Sequence, residues 1–165
     1  MSPRAALAAA FLVLWCGAAS AATVCASGLG LASAQDAALL AFARTMGLRF
    51  PEAFRNLADF IHADGGSALP GCFLTKHHAE ALGWRPGRDL WDYAPGAAIG
   101  GDRFANREGR LPRRWNGRYV ELDLDYAGGH RGARRLVFVR GMGEAWLIFV
   151  TTDHDANFVP FAPGR

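Results

Sequence analysis

The apolar pattern of this 165-residue chain changes period once, and that change limits what it can fold into. Early on, Phe54, Leu57, Ala58 and Ile61 fall at i, i+3, i+4 and i+7, the core-facing stripe of a helix. Residues 37–46 are Ala/Leu-rich and end at Gly47, Pro51 suits a first helical position, and Gly65-Gly66 stops the second helix. Thr75 is a good N-cap and Gly83 closes a short third helix. Later the period drops to two. Val120, Leu122, Leu124 and Tyr126 face one way, and Glu121, Asp123 and Asp125 the other. Gly128-Gly129 turns into a strand at 136–140, Gly141-Met142-Gly143 into 146–150, and residues 153–157 into 158–161. Helices first and strands after them predict an α+β fold, with N-terminal helices packed on one face of a C-terminal antiparallel β-sheet. Between them, residues 84–115 are dense in Gly, Pro and Asp and read as loops.

Export is the second constraint. Arg4, the apolar run from Ala5 to Trp15 and the closing Ala19-Ser20-Ala21 have the three parts of a signal peptide over residues 1–21. That run is too short to cross a bilayer, which takes ~20 apolar residues. The remaining 22–165 suit a single domain with an N-terminal arm at 22–50, secreted to the periplasm or medium, with no membrane association after cleavage. Two cysteines survive cleavage, Cys25 and Cys72, and in an oxidising compartment an even pair reads as one disulfide, against the alternative of two buried thiols.

Charge is uneven. Residues 22–102 carry 6 Lys/Arg against 8 Asp/Glu, and residues 103–165 carry 11 Arg against 7 Asp/Glu, so net −2 faces net +4. A basic half suits a polyanion such as nucleic acid, although Arg-for-Lys bias with high Ala and Gly also fits a GC-rich coding background. The one Lys in the chain, Lys76, stands at the predicted start of a helix.

Glu121, Arg131, Arg135 and His154 fall in or beside the predicted strands. Alternation places Glu121 on the face turned away from the helices, which the pattern predicts to be open. Neighbouring strands lie ~4.8 Å apart, so these groups fall within reach of one phosphate. RNA carries a 2′-hydroxyl beside its scissile phosphate. A carboxylate can take that proton, and an imidazolium can protonate the leaving 5′-oxygen, each transfer contributing ~10²–10⁴-fold. Fixed guanidiniums and an ammonium would stabilise the charge that gathers on phosphorus, with no metal and no cofactor required.

The motif series closes the sequence reading. Leu69-Pro70, Thr75-Lys76, Ala81-Leu82-Gly83-Trp84, Ala94-Pro95-Gly96, Ile99-Gly100-Gly101-Asp102, Asn106-Arg107-Glu108-Gly109, Trp146-Leu147-Ile148 and Thr151-Thr152-Asp153-His154 occur in order. From about Leu57 to Phe161 the chain resembles the barnase-like branch of the microbial guanyl-preferring ribonucleases. The resemblance implies Glu121 as general base, His154 as general acid, and Arg131, Arg135 and Lys76 as phosphate-binding groups. It implies a guanine-reading loop at Ala105, Asn106, Arg107 and Glu108, with Phe104 bordering the base. Single-stranded RNA is the implied substrate, cut to a 2′,3′-cyclic phosphate that is later hydrolysed, by a monomer. A small acidic barstar-like inhibitor is an implied partner. Three departures stand out: Asp155 where relatives carry Tyr, the arm with Cys25, and His130 where barnase carries Phe.

Plainer readings sit beside these. Asp123 and Asp125 read as solvated strand residues, Arg134 as ordinary basic surface, Asp153 as a turn cap, and His62, His77, His78 and His130 as surface residues. Two other functions compete. A metal-dependent nuclease would use Asp153, His154 and Asp155, but adjacent residues seldom close a metal site. A non-catalytic nucleic-acid or protein-binding module would bind without turnover.

Overall fold

The computed structural model describes residues 35–141 and 147–161. The signal segment, Cys25 with its expected bridge to Cys72, and the turn through Met142 lie outside the described residues.

Helix α1 (Asp36–Thr45) buries Leu39 and Ala43, with Asp36 in its first turn and Arg44 in its last, where each suits the helix dipole. Helix α2 (Pro51–Asp64) starts on Pro51, buries Phe54, Leu57, Ala58 and Ile61, and stops at Gly65, whose φ of 67° is left-handed. Helix α3 (Lys76–Ala81) is capped by the Thr75 side chain, which accepts from the His78 N–H. The strands are β1 (Phe73–Leu74), β2 (Ala98–Arg103), β3 (Tyr119–Asp123), β4 (Arg135–Val139), β5 (Ile148–Thr151) and β6 (Val159–Phe161). They form one sheet in sequence order, parallel between β1 and β2 and antiparallel from β2 to β6. The fold is α+β, as the change of period predicts.

Two strands were not legible. β2 lies in the stretch read as loops, because Ala98-Ile99-Gly100-Gly101-Asp102-Arg103 does not alternate and its pairing is supplied by the sheet, and β1, two residues long just before Thr75, is too short to show a period. A bulge between Gly100 and Asp102 sets Asp102 opposite Glu121 and Arg103 opposite Val120. Gly100 is required by proximity: a Cβ there would lie 2.4 Å from Leu122 Cδ2 and 2.6 Å from Phe73 Cδ1.

Three apolar clusters fix the layers. The helices pack Phe54, Leu57 and Ile61 against Val120, Leu122, Leu136, Phe138 and Val150 on one sheet face. A second cluster holds Trp84, Leu90, Ile99 and Tyr126. Tyr126 therefore does not continue the β3 pattern. The strand ends at Asp123, and Asp125 turns the chain at φ 59°. Tyr126 instead donates its hydroxyl to Asp89 Oδ1 at 2.6 Å. The third cluster, Leu111, Tyr119, Val137, Val139 and Phe149, covers part of the face expected to be open. Tyr119 shares that face with Glu121, and the connection after β2 folds over it. Among the described residues, the Glu121–Asp123 end of this face is the polar one.

Asp125 is also not a solvated residue. Its carboxylate accepts from the backbone N–H groups of Arg49 (2.8 Å) and Phe50 (3.2 Å) and pairs with Arg134 at 3.3 Å. It thus ties the sheet to the start of α2, and Arg134 is held in that junction rather than loose on the surface. Gly100→Ala should overpack the contact of β2 with Leu122 and Phe73 and cost ~1–3 kcal/mol in urea unfolding, whereas Gly47→Ala, with no neighbour within 4 Å, should show only its left-handed backbone penalty.

Candidate active site

The site is built on the polar end of the sheet face that carries Glu121. β3 presents Glu121 and Asp123 on the same side, and β4 begins with Arg135 opposite Asp123. Asp123 is 3 % exposed. It accepts from Arg131 through Nε (2.6 Å) and Nη2 (2.7 Å), a bidentate fork, and pairs with Arg135 Nε at 3.0 Å. The expectation of a solvated Asp123 is corrected: one buried carboxylate orients both guanidiniums. Arg135 is further fixed by Nη1, which donates to the carbonyls of Gly132 (2.8 Å) and Arg134 (2.7 Å). Arg131 lies with its guanidinium carbon 5.8 Å from the Trp84 ring centroid. Burial alone would lower the Arg131 pKa, but Asp123, with Glu121 and Asp102 behind it, raises it above the ordinary value.

Lys76 reaches the same place from α3. Its ammonium donates to Glu121 Oε1 at 2.5 Å, and its backbone N–H donates to Asp102 Oδ2 at 2.9 Å. The bulge that places Asp102 beside Glu121 therefore also positions the start of α3.

His154 sits in the turn between β5 and β6. It is exposed, its φ is 55°, and its N–H donates to the Ala133 carbonyl at 3.3 Å. Asp155 follows at φ 66°. Successive left-handed residues other than Gly are uncommon and cost ~1–3 kcal/mol each, so something must hold them. Asp153 does. Its Oδ1 accepts from Thr151 Oγ1 (2.8 Å) and the Asn157 N–H (2.9 Å), and its Oδ2 from Asn157 Nδ2 (2.7 Å). The Asn157 side-chain and backbone bonds, then Thr151, lower the Asp153 pKa to about 2. Asp153 is thus a turn cap, as read from sequence.

Asp155 points inward. One of its carboxylate oxygens is buried with no hydrogen-bond partner among the described residues. Burial, then the Glu121 charge, raises its pKa, while Arg135, His154 and Lys76 pull it back. Four of the five residues expected to do chemistry therefore act on a single carboxylate.

The loop at 105–108 is a separate construction. Asn106 is buried at φ 48°. Its side chain donates to the Leu111 carbonyl (2.9 Å) and to Asn116 Oδ1 (2.8 Å), and accepts from the Leu111 N–H (3.0 Å). The side chain of Asn106 is thus committed to loop shape. Ala105, Arg107 and Glu108 are exposed. Arg110 donates to the Ala156 carbonyl at 2.5 Å, joining this loop to the His154 turn. Phe104 packs edge-on against Phe158 (5.5 Å) and Tyr119 (6.5 Å), at the border between the aromatic cluster and the polar end.

A fixed cationic cradle, with a carboxylate and an imidazole on its rim and a loop alongside, suits a phosphodiester. A sequence profile of a ribonuclease family matches residues 61–162. The chain belongs to this ribonuclease family. It is 47% identical over 91 residues to a ribonuclease of Heyndrickxia coagulans, covering 54% of this chain and 80% of that one. The same identity and length hold for ribonucleases of Bacillus intermedius and Bacillus pumilus, of which the chain spans about half, 54% in each case. Among solved structures, ribonuclease Sa2 with guanosine-2′-cyclophosphate is 38% identical at a TM-score of 0.32, covering 39% of this chain and 64% of that one.

Sequence reasoning missed Asp102 and Asp123. The signal for Asp123 was present: it shares a face with Glu121, and Arg135 at the start of the next strand and Arg131 in the connection before it approach it. Asp123→Asn should leave two half-buried guanidiniums without the buried carboxylate that pairs them and lower stability by ~3 kcal/mol in urea unfolding. Asp155→Asn should act oppositely. Below the ordinary 3.8, Asp155 is protonated folded and unfolded alike; above its raised folded value the fold carries a poorly solvated carboxylate. The variant should therefore melt higher than wild type at neutral pH, and the advantage should vanish as pH falls through that window.

Proposed function

We propose that the protein is an exported endoribonuclease that cleaves single-stranded RNA after guanosine, without a metal, through a 2′,3′-cyclic phosphate. The observation that carries this reading is the charge network on one end of the sheet face, where Lys76 meets Glu121 and Asp123 holds Arg131 and Arg135, with the His154 turn bonded to Ala133 beside them.

In this reading the scissile phosphate occupies the cradle. Its non-bridging oxygens take the free N–H groups of Arg131 and Arg135 and the Lys76 ammonium. As Lys76 turns to phosphate, Glu121 Oε1 is released to take the 2′-hydroxyl proton. The 2′-oxygen attacks phosphorus, and His154, held on an exposed turn, gives its proton to the departing 5′-oxygen. Hydrolysis of the cyclic phosphate runs the two residues in reverse roles. The guanidiniums are preorganised by Asp123, so little reorganisation is needed as charge builds on phosphorus. Asp155 opposes this step: its carboxylate competes with phosphate for the same cations, and protonation or rotation removes it.

Guanine preference rests on the 105–108 loop. Among the described residues, the N–H groups of Arg107 and Glu108 have no acceptor, and the Glu108 carboxylate is exposed beside them. Guanine offers an acceptor at O6 next to donors at N1 and N2, which matches two N–H groups and a carboxylate. The proposal extends to removal of residues 1–21 on export, a Cys25–Cys72 disulfide, a monomeric mature domain and inhibition by a small acidic barstar-like protein, whose charge suits the basic cradle.

Purified mature protein should cleave a GpU dinucleotide in EDTA and leave DNA intact. Glu121→Ala and His154→Ala should each lower kcat/KM by ~10²–10⁴-fold, and Glu108→Ala should lower GpU cleavage selectively over ApU. Activity abolished by EDTA would favour a metal-dependent nuclease, and RNA binding without turnover a non-catalytic module.

A further inference from the structure

The site above uses Arg131 and Arg135, and Arg134 is paired with Asp125. Three other arginines meet elsewhere. Arg103, Arg118 and Arg140 line a cleft of about 290 Å³ that also includes Gly117 and Tyr119 and, among the described residues, has no acidic residue in its lining. All three are exposed, and among the described residues none is in an ion pair.

The cleft has a defined shape. Arg118 donates through Nε and Nη2 to the Arg140 carbonyl at 3.1 and 2.7 Å, and through Nη2 to the Gly141 carbonyl at 3.2 Å. Its guanidinium carbon lies 5.5 Å from the Trp115 ring centroid. Gly141, at φ 77°, lies against it: a Cβ there would come within 2.9 Å of Arg118 Nη2, and the guanidinium would have to shift. The Arg140 N–H donates in turn to the Arg118 carbonyl at 3.0 Å, so two like charges are held on adjacent, hydrogen-bonded segments. Like charges fixed together, with no counter-charge among the described residues, favour an anionic ligand, and guanidinium forks match phosphate oxygens.

Position identifies which phosphate. Arg103 pairs with Val120, and their neighbours Asp102 and Glu121 pair in the same ladder. Val120 faces the helix side and Glu121 the site, so the arginine cleft lies behind the same β2–β3 ribbon. β1 pairs only with Ala98 and Ile99, so beyond Ile99 the outer side of β2 carries no strand among the described residues. A polynucleotide leaving the cradle past Lys76 can cross that short edge and meet Arg103.

We infer that the Arg103–Arg118–Arg140 cleft binds backbone phosphates of the RNA strand away from the scissile bond. It is a second anchoring site that raises affinity for long substrates and leaves dinucleotides unaffected. This rests on the ribonuclease reading for its ligand.

The test uses Arg103→Gln/Arg140→Gln, whose side chains make no hydrogen bond among the described residues, alongside Arg118→Gln. Two readouts are compared: KM for long RNA against GpU, and Kd for a labelled, uncleavable single-stranded DNA of ~20 nucleotides, long enough to span both sites. The double variant should raise long-RNA KM and oligonucleotide Kd by roughly fivefold or more at low salt. It should also flatten the salt dependence of log Kd by about 1.4, at ~0.7 per lost phosphate contact, while GpU kinetics stay as in wild type. Unchanged Kd and salt slope would overturn the inference, as would an equal loss on GpU and long RNA. If wild type cleaves neither substrate, the ribonuclease reading falls, while the oligonucleotide arm still decides whether the cleft binds nucleic acid.

Discussion

Asp123 is the constraint on which the site depends. It is buried at the end of β3 and holds Arg131 in a bidentate fork across both oxygens, with Arg135 sharing Oδ1. Two guanidiniums share this one carboxylate, and each keeps N–H groups that can turn to a phosphate. The same bonds remove rotamer freedom from two long side chains before any ligand arrives. A surface arginine pair would have to be ordered by the substrate; this pair is ordered by the fold.

The second device is the division of one sheet face. Tyr119, Glu121 and Asp123 alternate along β3 on the same side, with Val139, Val137 and Arg135 opposite them on β4. At the Tyr119 end, Phe149 and Leu111 complete a dry aromatic cluster. The Asp123 end carries the charges of Glu121, Asp123 and Arg135. Phe104 and Phe158 stand at the boundary. The apolar half makes the sheet rigid behind the polar half, and loops from both sides, tied together by Arg110 and Ala156, frame the remaining opening.

Asp155 runs against this arrangement. A carboxylate directed into a cationic cradle weakens it for phosphate, yet the backbone there favours Asp, because φ of 66° is better tolerated by Asp than by larger residues. The Thr151–Asp153–Asn157 network that holds the His154 turn imposes that conformation. Activity and turn geometry thus meet at one position. The second arginine cleft bears on the same balance, since phosphates gripped there would offset part of the affinity that Asp155 removes.

The sequence by itself determined the helices, the later strands and the face on which Glu121 would lie, because periodicity records which side chains meet the core and capping residues record where helices begin. Pro51, Gly65 and Thr75 act where the chain says they should. The residue types of the site were equally legible, since Lys76, Glu121, the arginines and His154 stand in recognisable motifs. What only the tertiary structure decided were the contacts between segments distant in the chain. β1 and β2 exist because the sheet supplies their pairing; their own residues do not alternate. Asp123 and Asp125 look like solvated strand residues until Arg131 or the start of α2 is placed against them. Asp102 becomes part of the site only through a bulge, and Asp155 only through a turn that directs it inward. Sequence pattern reports a residue's relation to water and core. The partner of a buried charge is set by how distant segments fold together, and no local pattern encodes it.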